Sequence, residues 1–354
     1  MGSFTLWAAL LLATAQPGET PPPRESIMAV PAELQDRLQT EVVAPHRDHG
    51  RRLEALVRLL SDPVRGLGIE YRDDATQTVA EAYASRHANC VTYTLLFLSL
   101  ARQSGLEAYP QEIDETLAWS QRGGVVYRSN HVNAAVRIGA RRFKVDVGGM
   151  FVVARRPAHR ISIDRLLAQF YNNRAAQLME QGRLPAALAH AQVALELEPS
   201  YPVTWSNTGV LRLRSGDRAG AEQDYLAALD LDPENSSALS NLVGLYQRRG
   251  ETAKQAQFRR RLEKLREVDP FHQFMLAVGY EQRGQAAQAA RHYRRAIRLH
   301  GGEPLFYEGL ARAQLLAGNR HGALRALRQA MQLSSDAYRR KVYRDRMQDL
   351  ALPP

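Results

Sequence analysis

The chain of 354 residues is long enough for two or three domains, and its 45% hydrophobic residues can form a sizeable core. Its net charge of +10 is uneven, because residues 168–354 carry 27 Lys and Arg against 19 Asp and Glu, whereas residues 1–167 carry 20 against 18. A single cysteine excludes an internal disulfide framework, and the basic C-terminal part favours an acidic partner surface.

The first 26 residues are expected to be a signal peptide and a proline-rich linker. An apolar run from Phe4 to Ala13 is followed by the small-x-small pattern ATA at residues 13–15, which fits a signal-peptidase site. The run is too short to cross a bilayer, which needs about 20 apolar residues. We therefore expect an exported protein, periplasmic or secreted, with no integral membrane segment in the mature chain. The alternative is a cytoplasmic protein.

Residues 27–165 are predicted to form an α+β domain. Helical periodicity over AELQDRLQTEVVAP and RRLEALVRLLSD is followed by a short helix over Thr76–Ser85 and a buried one over Cys90–Ser104. The period then shifts toward two, which predicts a meander of strands. The predicted strands are EAYPQEI, VVYRS, HVNAAVRI, RRFKVDV and MFVVA, with a hairpin turn at Gly139-Ala140 between the third and the fourth.

A 34-residue repeat organises residues 166–335. Each repeat has a glycine between two amphipathic runs, and glycine can adopt the backbone conformations that a tight helix–helix turn needs. In most repeats alanine recurs five and twelve residues after the glycine, where a small side chain lets two helices approach closely. The glycines are Gly182, Gly216, Gly250, Gly284 and Gly318.

This helix–turn–helix unit resembles the tetratricopeptide repeat, and the stretch from Trp205 to Pro233 is the closest copy. The resemblance implies an all-α solenoid of five repeats, with residues 336–354 as a C-terminal capping helix and tail. It also implies a surface that binds a peptide or protein, and the charge favours an acidic one.

Three side chains occur in an order that is typical of thiol catalysis. Cys90 is expected at the first turn of the buried helix, where unpaired backbone N–H groups and the helix dipole favour a thiolate. His131 opens one predicted strand, and Asp146 lies near the end of the next. A hairpin at Gly139-Ala140 brings the two close, in a diagonal arrangement if its register is symmetric about the turn. There the carboxylate could fix the imidazole tautomer and stabilise the imidazolium.

The same order resembles the transglutaminase-like superfamily of papain-like thiol enzymes over about residues 65–155. The matching residues are Cys90 in RHANCVTYTLLFLSLARQSGLEA, His131 in SNHVNAAV and Asp146 in FKVDV. The resemblance implies a catalytic triad in which the cysteine attacks a carbonyl, the histidine transfers protons and the aspartate orients the histidine.

The resemblance also bears on the residues around the nucleophile. It implies that the backbone N–H of Cys90 stabilises the oxyanion, and Asn89 and Asn130 are available as neighbouring side-chain donors. Bacterial members often read Arg-x-Gly-x-Cys before the helix; Arg86 matches this pattern, but Ala88 stands at the glycine position.

The sequence therefore predicts a transglutaminase-like thiol enzyme that hydrolyses or exchanges peptide or protein amide bonds, with repeats that recruit a partner or substrate. The alternative is a non-catalytic interaction scaffold with a degenerate transglutaminase-like domain. No cofactor is expected. A metal site is disfavoured, although His46-x-x-His49 and His87-x-x-Cys90 have ligand-like spacing. Nucleic acid is also disfavoured, because the arginine-rich segments occupy exposed helix faces without a nucleic-acid motif.

Overall fold

The computed structural model describes residues 20–113, 119–122, 125–128, 131–146, 158–334 and 337–351. The chain divides into two compact units, Met1–Asn235 and Ser236–Pro354. The predicted signal peptide lies almost wholly outside the described residues and stays a prediction.

One helix of the N-terminal part is buried along most of its length. In that helix, α5, every side chain from Val91 to Ala101 is buried, because the segment is apolar on all sides. Gly105 follows the helix with a φ of +72° and turns the chain into the first long strand. The helices are α1 (Arg24–Ile27), α2 (Ala32–Leu38), α3 (His49–Ser61), α4 (Val79–Ser85) and α5 (Cys90–Gln103), with a π-helical turn over Gln39–Val43.

The strands of the described ranges form three small sheets. The strands are β1 (Glu70–Tyr71), β2 (His87–Ala88), β3 (Glu107–Ile113), β4 (Trp119–Arg122), β5 (Val125–Arg128), β6 (His131–Ile138), β7 (Arg141–Val145) and β8 (His159–Arg160). The largest sheet has the antiparallel order β7-β6-β3-β8, while β1 pairs with β2 and β4 with β5.

The predicted meander is wrong in its pairing. β3 pairs with β6, because the β4–β5 hairpin forms a sheet of its own between them in the chain. The turn at Gly139-Ala140 does connect β6 to β7, and Gly139 has the positive φ of +59° that such a turn uses. The segment MFVVA lies outside the described residues.

Five helix pairs follow, with a final helix after them. All five turn glycines have φ between +71° and +88°, which confirms the predicted turns. Ala187, Ala221, Ala289 and Ala323 are fully buried, as close helix packing requires. The pairs are α6 (Ile163–Glu180) with α7 (Leu184–Leu197), α8 (Pro202–Arg214) with α9 (Arg218–Leu231), α10 (Ser236–Arg249) with α11 (Thr252–Val268), α12 (Pro270–Gln282) with α13 (Ala286–Leu299), and α14 (Pro304–Leu316) with α15 (Arg320–Leu333); α16 spans Ala337–Ala351.

The first repeat helix is part of the N-terminal core. Leu166, Phe170 and Tyr171 of α6 lie in the same apolar cluster as the side chains of α5. The compact units therefore divide inside the repeats, at Asn235, whereas the sequence divides them at residue 165. The division at residue 165 remains a prediction of where the repeats begin, and it does not coincide with the boundary between the two compact units.

The end of the expected linker is packed against α6. The Tyr171 hydroxyl donates a hydrogen bond of 2.5 Å to the Pro22 carbonyl, and Arg24 forms an ion pair with Asp164. Ile27 is completely buried. Residues 22–27 are therefore part of the first unit and do not form a free linker.

Candidate functional site

Cys90 is the first residue of α5, as the sequence predicts. The Asn89 side chain caps this helix, because its Oδ1 accepts a hydrogen bond of 2.9 Å from the backbone N–H of Thr92. Cys90 is partly buried and is a free thiol. The helix therefore places the thiol at its N-terminus, where the orphan N–H groups and the dipole stabilise negative charge.

His131 and Asp146 form a close pair. The imidazole Nε2 lies 2.8 Å from both carboxylate oxygens of Asp146, and the His131 side chain is 1% exposed. Because a carboxylate accepts hydrogen bonds, Nε2 carries the proton. Cys90 also interacts electrostatically with the His131 ring, so all three predicted residues act on one imidazole.

The electrostatics of this group favour a charged imidazole. Burial opposes protonation of the ring, but the hydrogen bonds and negative charges of Asp146 and Cys90 outweigh it and raise the pKa of His131 to about 9. Burial acts to raise the pKa of Asp146, but the hydrogen bond and charge of His131 and the charge of Lys144 lower it overall. At neutral pH the imidazole is therefore protonated, and the Asp146 carboxylate beside it is ionised.

Three neighbours of Asp146 were not predicted from the sequence. The Lys144 ammonium lies 3.1 Å from Oδ2, and the buried Asn133 amide donates to the same oxygen at 3.5 Å. Burial, together with the negative charge of Asp146, raises the pKa of Tyr93 to about 12. The period-two pattern places Asn133 on the same strand face as His131, and this is the signal that points to it.

The expected side-chain oxyanion donors are not supported. Asn89 uses its amide within the structure, since Nδ2 donates to Thr76 Oγ1 at 2.6 Å and Oδ1 caps the helix. Asn130 lies outside the described residues. The left-handed residue before the helix is Arg86, with a φ of +61°, whereas Ala88 is a buried strand residue. A glycine is therefore not required at position 88.

The first repeat helix contacts the loop that borders the cysteine helix. Gln177 donates a hydrogen bond of 2.7 Å to the Asp74 carbonyl, and Arg174 donates one of 3.3 Å to the Thr76 carbonyl. The Thr76 side chain in turn accepts from Asn89, the cap of α5. The thiol and the first repeat are thus connected through one short loop.

The second repeat presents a chemically mixed surface on α8. Val203, Asn207, Val210 and Arg214 recur at helical spacing and are partly or largely exposed, while Thr204, Thr208 and Leu211 of the same helix are buried. Asn207 donates a hydrogen bond of 2.9 Å to Asn172 of α6. Apolar, amide and cationic groups therefore share one face of this helix.

Neither a metal cluster nor a membrane span is found in the part of the chain that the structure describes. In these ranges no group of three or more His, Cys, Asp and Glu is arranged to hold a metal ion. In the same ranges no helix combines the length and the apolar character of a membrane-crossing segment.

No protein-family model matches the chain. Short stretches are similar to the wheat (Triticum aestivum) Hsp70-Hsp90 organizing protein, at 37% identity over 21% of this chain and 13% of that protein. A stretch is similar to the human (Homo sapiens) DnaJ homolog subfamily C member 7, at 34% identity over 24% of this chain and 18% of that protein. Another stretch is similar to the photosystem I assembly protein Ycf3 of Prochlorococcus marinus, at 30% identity over 25% of this chain and 53% of that protein. The chain thus spans from about an eighth to about half of these relatives' length.

Two solved structures are similar to parts of the chain. One is YrrB, a TPR protein with an unusual peptide-binding site, at 21% identity over 49% of this chain and 89% of YrrB, with a TM-score of 0.27. The other is a thermophilic TPR protein of Thermus thermophilus, at 19% identity over 52% of this chain and 100% of that protein, with a TM-score of 0.29. Scores this low support no argument about function.

None of these similarities supports the transglutaminase-like resemblance of the N-terminal part. The names of the sequence relatives, an organizing protein and an assembly protein, agree better with the interaction scaffold that the sequence gives as the alternative than with the enzyme. The 34-residue period, the positive φ at each turn glycine and the paired helices make residues 163–333 five helix pairs of the tetratricopeptide type.

Proposed function

We propose that this chain is a protein-interaction scaffold whose repeats bind a peptide or protein segment. The observation that carries the proposal is the partly exposed stripe on α8, defined by Val203, Asn207, Val210 and Arg214. Its valines supply apolar contact, its amide can pair with a peptide backbone, and its arginine can pair with a carboxylate. The relatives that organise chaperones or assemble a photosystem support an interaction role of this kind.

A photoreactive benzoylphenylalanine at Val210 tests the proposal in the full chain. On irradiation in an extract of the source cells, we expect the probe to form a covalent adduct with one partner segment, which mass spectrometry then identifies. The same probe at Gln223 is the control, because Gln223 is exposed on α9 and lies off the stripe. Adducts that form equally from both positions, or from neither, would contradict the proposal.

We also propose a second function, thiol chemistry of the transglutaminase-like type, because the geometry around His131 favours it. In this reaction Cys90 Sγ attacks a carboxamide carbon, and the amine departs with the proton of the His131 imidazolium, which leaves a thioester. Water or a second amine then attacks the thioester, and His131 takes up its proton. The reaction is an amide hydrolysis or an amide exchange.

The role of Asp146 in this second proposal is to hold His131. Its two oxygens, both 2.8 Å from Nε2, fix the tautomer and leave the other ring nitrogen, Nδ1, for proton transfer with the thiol. The test is incubation of wild type and Cys90→Ala with a glutamine-containing casein and a dansylated amine. Ammonia release or dansyl incorporation by wild type alone supports the thiol chemistry. Equal signals from wild type and Cys90→Ala would contradict it.

Export from the cytoplasm is proposed as the setting of either function. It rests on the apolar run and the ATA pattern at residues 13–15. Intact mass of the protein expressed in its source cell tests this, since cleavage after Ala15 shortens the chain. A full-length chain in the cytoplasmic fraction would contradict export.

A further inference from the structure

A basic groove lies within the second unit, between the end of α11, the start of α12 and one face of α13. Its volume is about 270 Å³. The residues that line it are Glu267, Gln273, Arg291, His292, Arg295 and Arg298. The arginine-rich segment of α13, which the sequence treats as a solvated face, therefore forms one wall of a concave site.

Three arginines on this wall share one face of the helix. Arg291, Arg295 and Arg298 follow the spacing i, i+4, i+7, so they extend over roughly 10 Å of helix. All three are exposed. Among the described residues no carboxylate pairs with them, and Arg295 donates only to the Glu267 carbonyl, at 3.4 Å. Their charges are thus available to a ligand.

The floor of the groove is held by a chain of hydrogen bonds. The Gln273 amide nitrogen donates to the Arg266 carbonyl at 3.2 Å, so its Oε1 accepts from His292 Nδ1 at 2.9 Å. The His292 ring also stacks on Tyr280, with centroids 5.2 Å apart and planes 10° apart. A site that is ordered before binding loses less entropy when the ligand arrives.

The second unit as a whole attracts anions. Residues 236–354 contain 22 Lys and Arg against 10 Asp and Glu, a net charge of +12, so the remainder of the chain is slightly acidic. A concentration of charge on this scale raises the association rate of an oppositely charged partner. The groove therefore lies in the part of the chain that carries its net positive charge.

We propose that this groove binds an acidic peptide segment of a protein partner, with carboxylates paired to Arg291, Arg295 and Arg298. The inference rests on the proposed interaction function and adds the chemistry of the partner. A volume of about 270 Å³ accommodates a few side chains. The exposed Val268, next to Glu267 at the end of α11, gives an apolar residue between the acidic ones a place to contact.

Two features favour a peptide over a nucleic acid. Glu267 is one of the lining residues, and its negative charge disfavours a continuous phosphate backbone, whereas a peptide can place an uncharged residue there. The Tyr280 and His292 rings stack on each other, and the Arg283 guanidinium lies 4.8 Å from the Tyr280 centroid, so Tyr280 is already engaged and is not an open platform for a base.

The test is fluorescence anisotropy of a labelled twelve-residue peptide of Glu, Leu and Ser, with the full chain at about 0.15 M salt. We expect R291Q/R295Q/R298Q to weaken binding at least tenfold. The control R294Q/R325Q/R328Q removes the same charge from exposed positions off the groove and should weaken binding less than threefold. E267Q should strengthen binding by about threefold, and misfolding cannot produce that gain.

Three results would overturn the proposal: no binding by wild type, equal losses in the two triple variants, or tighter binding of a twelve-residue oligothymidylate than of the acidic peptide. The outcome is separate from that of the α8 stripe. If Val210 gives no adduct while the peptide binds this groove, the stripe fails and the groove stands. If Val210 gives an adduct and the arginine variants bind the peptide normally, the groove fails and the interaction function stands.

Discussion

His131 pairs with Asp146 although the two residues are not opposite each other in the sheet. Ala134 is opposite Val145 in the β6–β7 register, and the continuation of that register sets Asn133 opposite Asp146. His131 lies two residues before Asn133 on β6, so the His131–Asp146 pair is diagonal. The two 2.8 Å contacts, from Nε2 to the carboxylate oxygens, therefore join residues that belong to different cross-strand pairs. The carboxylate thus reaches the imidazole and leaves Asn133 directly across from it.

The reactivity of Cys90 should depend on His131. Because the chain has one cysteine, alkylation by iodoacetamide followed by intact mass reports this thiol alone. At pH 6 we expect Cys90 in wild type to react faster than a model thiol, since the imidazolium stabilises the thiolate. His131→Ala should slow the reaction at least tenfold.

The control for this experiment is His87→Ala. His87 is three residues before Cys90 but faces Glu70, at 3.9 Å, so its removal should leave the alkylation rate within twofold of wild type. If the two histidine variants react at the same rate, the thiol is not activated by His131.

The ionisation of His131 should depend on Asp146. In Asp146→Asn the carboxylate that stabilises the imidazolium is gone, so the pKa of His131 should fall from about 9 toward or below its usual value near 6.5. NMR titration of labelled histidines, with His131→Gln for assignment, measures this. An unchanged titration in Asp146→Asn would show that Asp146 does not control the ring.

The same shift predicts how stability varies with pH. A pKa that is raised in the folded state means that the charged ring stabilises the fold fully below about pH 6.5, and that this contribution is lost as the pH rises through about 9. The unfolding free energy should therefore decrease by up to about 3 kcal/mol over this interval. Urea unfolding at pH 6.5 and 9.5 measures the decrease, and His131→Gln should not show it.

Local patterns predicted much of this molecule. The 34-residue glycine spacing predicts the turns because each of these glycines needs a positive φ that other residues rarely adopt. Helix α5 begins at Cys90 because Asn89 caps it, and the turn at Gly139-Ala140 sets the register that brings His131 to Asp146.

Long-range pairing was beyond the sequence. The alternation of residues 107–113 does not show that β3 pairs with β6. Such a pattern predicts which side chains of a strand face the core, but it does not predict which strand lies beside it. Polar contacts such as Lys144 with Asp146 and Tyr171 with Pro22 also depend on tertiary position. The repeat pattern also does not show that α6 is apolar enough to join the N-terminal core.

A buried ion pair should hold the sheet to the first repeat helix. The Glu112 side chain on β3 is 1% exposed, and Arg165 of α6 donates to its Oε2 from Nε at 3.1 Å and from Nη2 at 3.0 Å. Gln169 donates to Oε1 at 2.9 Å. Arg165→Met removes the guanidinium from this buried carboxylate and should lower the unfolding free energy by about 3 kcal/mol.

The control is the double variant Glu112→Leu/Arg165→Met, in which the apolar pair should recover most of that loss, because no buried charge remains. Urea unfolding followed by circular dichroism measures both. A double variant no more stable than Arg165→Met would contradict the interpretation that the buried carboxylate, once it lacks Arg165, causes the loss.

Two helical glycines of the second unit should respond to alanine in opposite ways. A Cβ at Gly309 of α14 would clash with the ring of Tyr293, which is completely buried and whose hydroxyl bonds to Glu281, so the ring cannot move aside. A Cβ at Gly279 of α12 meets only the flexible end of Arg283, at 3.5 Å. Gly309→Ala should therefore destabilise the unit by about 2 kcal/mol, whereas Gly279→Ala should stabilise it by about 0.5–1 kcal/mol through a less flexible unfolded chain. The shift of the urea midpoint measures each change, and shifts of the same sign would show that the α13–α14 contact is looser than the structure has it.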